Sequence, residues 1–259
     1  MARSSRKESH TQLYHVMGRG NNEEKIFLKH GDKIKFIHFM EVMLEKAPVA
    51  LYAYCIMDSH VHLIIRAELK DLSKYMHGLT GSYSLYFNGK NERAGHVFQD
   101  RYKSECIEKE SYYWSCLRYV HNNPVQAGRV KEINNYPYSS VQEYLRKSSN
   151  LIHPLARKML KSRFRTQREF FDFHKIIDYN IFLDIADEQR KRKYIVVKAQ
   201  LKEFLEERQI LLGEFLLNPK LRKEFIQEEH DKITISYKQI KDTLEVICLG
   251  IGFEENVSK

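Results

Sequence analysis

Met57-Asp58-Ser59-His60-Val61-His62-Leu63-Ile64-Ile65-Arg66 decides how the rest of the chain is read. It is rich in β-formers, and on a strand the side-chain period is two. His60, His62 and Ile64 therefore share one face. Val61, Leu63 and Ile65 share the other and point into a core. Asp58-Ser59 makes a tight turn to the preceding run, Val49 to Met57, which gives a β-hairpin. Two imidazoles side by side on one strand face can share a metal ion. The same short pattern also describes two polar residues on the solvated side of a half-buried strand, so the remaining sequence has to decide.

Working outward, Tyr14-His15-Val16-Met17 reads as a first strand closed by Gly18-Arg19-Gly20-Asn21-Asn22. That loop has the turn chemistry to bring backbone amides near a phosphate, or to be an ordinary turn. Asp32 to Glu45 carries apolar residues at helical spacing, and Pro48 ends it. Leu72, Tyr75, Met76, Leu79, Tyr83 and Tyr86 recur at three or four and predict a second helix. His96 to Ile107 alternates as a fourth strand, with Gln99, Arg101 and Lys103 on one face. These cations are either solvated surface or a phosphate track.

A helix follows from about Lys109 to Asn123. Tyr113, Cys116, Leu117 and Val120 form its buried stripe. Tyr119 lies roughly 110° around the helix from that stripe, so the stripe does not need it. Asn123 sits one turn further on the same flank. Pro124 limits the helix, because the residue before a proline avoids the α region.

The order β-α-β-β-α-β-α predicts an α+β domain, a four-stranded antiparallel sheet with helices packed on one face. A boundary is expected in the polar run 147–150, giving a first domain over 1–148. In the second region, 149–259, the composition shifts from Pro154 onward to Lys, Arg, Glu, Gln, Leu and Phe. It predicts helices over Leu155 to Lys161, Gln167 to Phe173, Glu188 to Glu207 and Leu211 to Glu229. A degenerate helix-turn-helix over Ile233 to Ile247 is a further possibility beside a plain helical bundle.

Composition narrows the classes. The chain has 259 residues, 42% of them hydrophobic, and no apolar run long enough to span a membrane. The basic start, Met1 to Lys7, lacks the apolar segment of a secretory signal and reads as a solvated start or a nucleic-acid-binding arm. A net charge of +9 favours a polyanionic partner. The four cysteines form no C-x-x-C pair, so a reduced, cytoplasmic setting is the expectation.

Four segments in order carry a family resemblance: Tyr14 to Asn21, Met57 to Leu63, Phe98-Gln99-Asp100-Arg101-Tyr102-Lys103-Ser104, and Arg118-Tyr119-Val120-His121-Asn122-Asn123-Pro124-Val125-Gln126-Ala127-Gly128. Over roughly Tyr14 to Tyr144 the chain resembles the HUH single-strand transposases, and within them the REP-associated tyrosine transposases. Ser59 stands where that pattern usually has Asn, and Asp100 where it often has Gly. The resemblance implies a ferredoxin-like HUH domain, with Tyr119 as nucleophile and His60, His62 and Asn123 as ligands of a divalent cation, magnesium or manganese. It implies single-stranded or hairpin DNA as partner, cut and rejoined through a 5′-phosphotyrosine, by a monomer or homodimer. Arg19, Arg101, Lys103 and Arg118 are the candidate phosphate contacts. Two other readings remain: a catalytically degenerate DNA-hairpin-binding protein, and a phosphohydrolase that activates water at His60 and His62.

Overall fold

The computed structural model describes residues 6–146, 150–176, 178, 180, 182–184, 186–232 and 235–249. The chain divides into two compact units, Met1–Ile176 and Ile177–Lys259. The first holds β1 (Leu13–Arg19), α1 (His30–Lys46), β2 (Ala50–Ile56), β3 (His60–Arg66), α2 (Leu69–Lys90), β4 (Lys103–Cys106), α3 (Glu110–Gln126), α4 (Val141–Leu145), α5 (Pro154–Arg163) and α6 (Gln167–Lys175). Its sheet has the order β2-β3-β1-β4, antiparallel throughout.

The hairpin at the centre forms as its sequence predicts. The Met57 amide donates to the His60 carbonyl at 2.8 Å. Asp58 in the turn is held by Lys33 at 2.7 Å and Arg129 at 2.8 Å. Gly20, at the end of β1, donates to the Ser59 carbonyl at 2.7 Å, and Asn21 to the Val97 carbonyl at 2.9 Å. Those amides knit loops together rather than facing a phosphate. A Cβ on Gly20 would lie 2.3 Å from the Glu24 carbonyl oxygen, so only glycine lets the chain close there.

The four-stranded antiparallel sheet and the packed helices match the sequence reading, but the helices divide between both faces. Phe98 lies 3.7 Å from where a Gly18 Cβ would sit, on the Val61 face, with Tyr83 of α2 beyond it at 6.1 Å between centroids. Phe36 of α1 joins that aromatic layer at 5.2 Å from Tyr83. Helix α3 covers the opposite, histidine-bearing face, where Tyr119 meets His15 and His62. Every residue of β3 before Arg66 is consequently buried.

Two boundaries move for local reasons. The strand expected from His96 starts only at Lys103, after an isolated bridge between Gly20 and Phe98. Tyr102 is instead tied sideways, to Ser73 at 3.0 Å and to Arg6, which stacks 3.8 Å over its ring. Gln99, Arg101 and Lys103 therefore do not form one strand face. Residues 1–5 of the basic start lie outside the described residues. Helix α3 runs through Pro124, where it was expected to stop. The proline forfeits the bond to the Val120 carbonyl, yet Ala127 still donates to Asn123 at 3.0 Å. The helix stops at Gly128, whose φ of +65° suits the left-handed residue after a helix.

Helices α5 and α6 belong to this first compact unit, and 147–149, where the boundary was expected, lie outside the described residues. Trp114 of α3 meets Phe164 and Phe173 edge-on at 5.8 and 6.3 Å. A buried chain of hydrogen bonds joins α6 to α3. The Phe170 carbonyl can only accept, so His174 donates to it through Nδ1 at 2.7 Å. His174 Nε2 then accepts from His121 Nδ1 at 2.9 Å, and His121 Nε2 accepts from Ser140 Oγ at 2.8 Å. Ser140 Oγ itself accepts from the Tyr54 amide at 3.0 Å. With both imidazoles neutral, each tautomer is fixed.

Burial, with His174 alongside, drives His121 well below the ordinary histidine range. Burial also lowers His174 to about 4, helped by Arg118 and opposed by the Phe170 carbonyl. The unfolded chain takes up protons at His174 near pH 6.5 and the folded chain does not. This stability is complete above pH 6.5 and falls as pH drops towards 4, by roughly 3 kcal/mol for His174. The stability gap between wild type and His174→Gln should therefore narrow from pH 7 to pH 4 in urea titrations. A gap independent of pH would show that the folded protein accommodates the imidazolium.

The second unit consists of α7 (Ala186–Arg208), α8 (Leu212–Leu217), α9 (Pro219–Lys232) and α10 (Tyr237–Cys248). Val197, Phe204, Phe215, Phe225 and Ile240 fill its core. The expected single helix over Leu211 to Glu229 breaks at Asn218-Pro219. Proline keeps Asn218 extended, and Asn218 Oδ1 accepts from the Lys220 amide at 3.0 Å. Ser236 and Gln239 form a reciprocal cap that starts α10. Residues 233 and 234, in the proposed helix-turn-helix, lie outside the described residues.

Candidate active site on the covered face of the sheet

Register assembles the site. Residues directly opposite in an antiparallel pair point to the same side. Arg19 pairs with His60, and Met17 pairs with both His62 and Lys103. His15 pairs with Ile64 and Glu105. One face therefore carries Arg19 and His60 in one row, Lys103, Met17 and His62 in the next, and Glu105, His15 and Ile64 behind them.

Within that face the imidazoles are close. His60 and His62 lie 5.0 Å apart between ring centroids, at 85°. Ser59 Oγ is 3.1 Å from His60 Nδ1. His15 Nε2 is 3.0 Å from His62 Nδ1, across strands and 47 residues away in sequence. Hydrogen bonds at Nδ1 fix ring orientation and favour Nε2 as the metal-binding nitrogen. The donor set fits a divalent cation: two adjacent imidazoles, each oriented from behind, under a helix that carries an amide side chain.

That helix is α3. Its stripe Tyr113, Cys116, Leu117 and Val120 is fully buried, as expected, and packs towards β2. Tyr119, on the neighbouring flank, is only 3% exposed. Its ring meets His62 edge-on at 5.5 Å and His15 at 5.9 Å. Asn123 is buried one turn beyond. Tyr113 belongs to the core, edge-on to Tyr52 at 6.0 Å, and burial pushes its phenol well above the ordinary range.

The candidate cations separate. Arg19 is half-buried at the end of β1, and Lys103 is exposed at the start of β4. Both stand on the histidine face. Arg101 is exposed on a groove of about 560 Å³ between α2 and the segment 95–101, with His77, Ser84 and His96. Arg118 lies 4.7 Å over the Phe173 ring and donates to the Phe173 carbonyl at 3.4 Å, so it helps bind α6 to α3.

Sequence reasoning missed His15, Glu105, His121 and His174. His15 carried a usable signal, an imidazole inside an apolar strand, but its partner is set by strand order. His121 and His174 gave none, because their pairing depends on where α6 docks.

Residues 8–123 match the family described as "Transposase IS200 like". No curated protein matches the chain. Among solved structures, one described as "Structure of the REP associates tyrosine transposase bound to a REP hairpin" is 18% identical, with 60% of this chain and 90% of that one covered and a TM-score of 0.48. A second, described as a "putative transposase from deinococcus radiodurans r1", is 14% identical, with 47% and 95% covered and a TM-score of 0.33.

Proposed function

We propose that this chain, whose residues 8–123 match the IS200-like transposase family, cuts and rejoins single-stranded DNA by attack of Tyr119 on a phosphodiester. The observation that carries this reading is the Tyr119 ring edge-on to His62, 5.5 Å between centroids, on the face shared with His60.

Tyr119 Oη would form a bond to phosphorus as the bond to the 3′-oxygen breaks. The products are a 5′-phosphotyrosine and, once the phenol's proton has reached the leaving oxygen directly or through solvent, a 3′-hydroxyl. Attack by a 3′-hydroxyl reverses the step. One phosphoester bond is exchanged for another, so rejoining needs no ATP. His60 and His62, with Asn123, would hold the cation. Two imidazoles and an amide oxygen suit manganese by ligand preference, and magnesium by its abundance. A cation bound there polarises the phosphate and stabilises the departing 3′-oxygen. Burial of Tyr119 between sheet and helix orients the nucleophile. Arg19 and Lys103, at the rim of the same face, would contact the flanking phosphates.

A labelled single-stranded substrate with an adjacent hairpin, run on a denaturing gel with manganese, tests the reading. A covalent protein–DNA adduct is expected. Cleavage without an adduct would instead favour water as nucleophile, and neither product would favour a binding protein that has lost its chemistry.

Phosphate contacts also make affinity fall with salt. For single strands, each phosphate neutralised adds roughly 0.7 to the slope of log affinity against log salt. Lys103→Ala should lower that slope by about 0.7 while leaving base preference unchanged. A titration without a salt slope would remove nucleic acid from the account.

A further inference from the structure

His15 is fully buried in the middle of β1. A valine there would extend the strand at no polar cost, so the imidazole has to be matched by something. It stacks on His62 at 5.1 Å and 28°, with Nε2 3.0 Å from His62 Nδ1. On its other side, Nδ1 lies 3.8 Å from Glu105 Oε2. Glu105 is the residue opposite His15 on β4.

We propose that His15, backed by Glu105, is a positioning residue that holds His62 in the tautomer presenting Nε2 to a metal ion. This rests on the reading of His60 and His62 as metal ligands. A neutral imidazole has one N–H and one acceptor nitrogen. The Glu105 carboxylate is beyond hydrogen-bond length but close enough for its charge to favour the His15 proton at Nδ1. His15 Nε2 is then the acceptor, and His62 must donate to it through Nδ1. That leaves the lone pair of His62 on Nε2. The reverse arrangement places a proton on His62 Nε2 and blocks it as a ligand. Carboxylate–histidine partners of this kind orient metal ligands generally; here a second histidine stands between them, and the chain runs through three adjacent strands.

The test uses the full chain without DNA. Manganese affinity is read from the paramagnetic resonance of the free ion, and folding from thermal melts. Wild type should bind and His60→Ala should not, which examines the metal site by itself. His15→Leu, which offers no acceptor, should weaken manganese binding by about 10- to 100-fold. His15→Gln keeps an amide oxygen as acceptor and should stay within a few-fold of wild type. Wild-type affinity in a folded His15→Leu protein would overturn the proposal while leaving the metal site standing. Absence of binding by wild type would overturn both. Should His15→Leu fail to fold, isotope-labelled histidine spectra of metal-free wild type decide the matter. A proton on His62 Nδ1 is expected, and one on Nε2 overturns the assignment. Glu105→Gln should move that proton partly to Nε2, a change that a purely packing role for His15 would not produce.

Discussion

A Tyr119→Phe variant is expected to lose strand cleavage and the covalent adduct by about four orders of magnitude or more, the scale seen when a nucleophile is removed. The substitution deletes one oxygen. The ring keeps its edge-on contacts with His62 and His15, at 5.5 and 5.9 Å, so packing and the cover over the histidines persist. Hairpin DNA binding should stay within a few-fold, because the proposed phosphate contacts come from Arg19 and Lys103. Asn123→Ala should behave differently. It leaves the attacking oxygen in place and removes a ligand, so the metal concentration needed rises while the adduct still forms at saturation. Mass spectrometry of the adduct peptide separates the tyrosines nearby. Tyr113 is packed against Tyr52, and Tyr102 is held by Arg6 and Ser73, so nucleotide is expected on Tyr119 alone. An undiminished adduct in Tyr119→Phe would sink the assignment.

The parts of this site that were legible in the sequence are those fixed by local periodicity. The period of two placed His60 and His62 on one face, and the period of 3.6 separated Tyr119 from the stripe of Tyr113, Cys116, Leu117 and Val120. What periodicity cannot report is what lies across a face. The histidine side of β3 reads as half-solvated, yet α3 covers it and His60 to Ile65 are all buried. Strand order places His15 behind His62, and no spacing within either strand encodes that order. Helix α6 posed the same difficulty on a larger scale. Its link to α3 passes through His174 and His121, 53 residues apart, and the run 147–150 reads as a linker between them. Pro124 misled for a different reason. Its cost is one backbone bond, and the packing of α3 against β2 and α6 outweighs it.

His60→Ala and His62→Ala should each abolish divalent-dependent cleavage, by about three orders of magnitude or more at ordinary metal concentrations, but they should differ in stability. His60 lies at the end of β3, paired with the terminal residue of β1, and Ser59 Oγ, 3.1 Å from its Nδ1, is a neighbour in sequence. Its removal should lower the melting temperature less than that of His62, because no cross-strand imidazole bond of the kind His62 makes to His15 is broken. His62 is completely buried and bonded to His15. Its removal strands a buried imidazole nitrogen and should cost about 1–3 kcal/mol. Millimolar manganese should restore part of the activity of His60→Ala, since His62 remains held by His15. It should restore less to His62→Ala, where the best-oriented ligand is gone. Hairpin binding in the presence of a chelator should be unchanged in both, because the phosphate contacts are elsewhere. Wild-type cleavage by either variant, with folding verified, would remove the metal from the reaction and leave Tyr119 to be activated by the neighbouring cations alone.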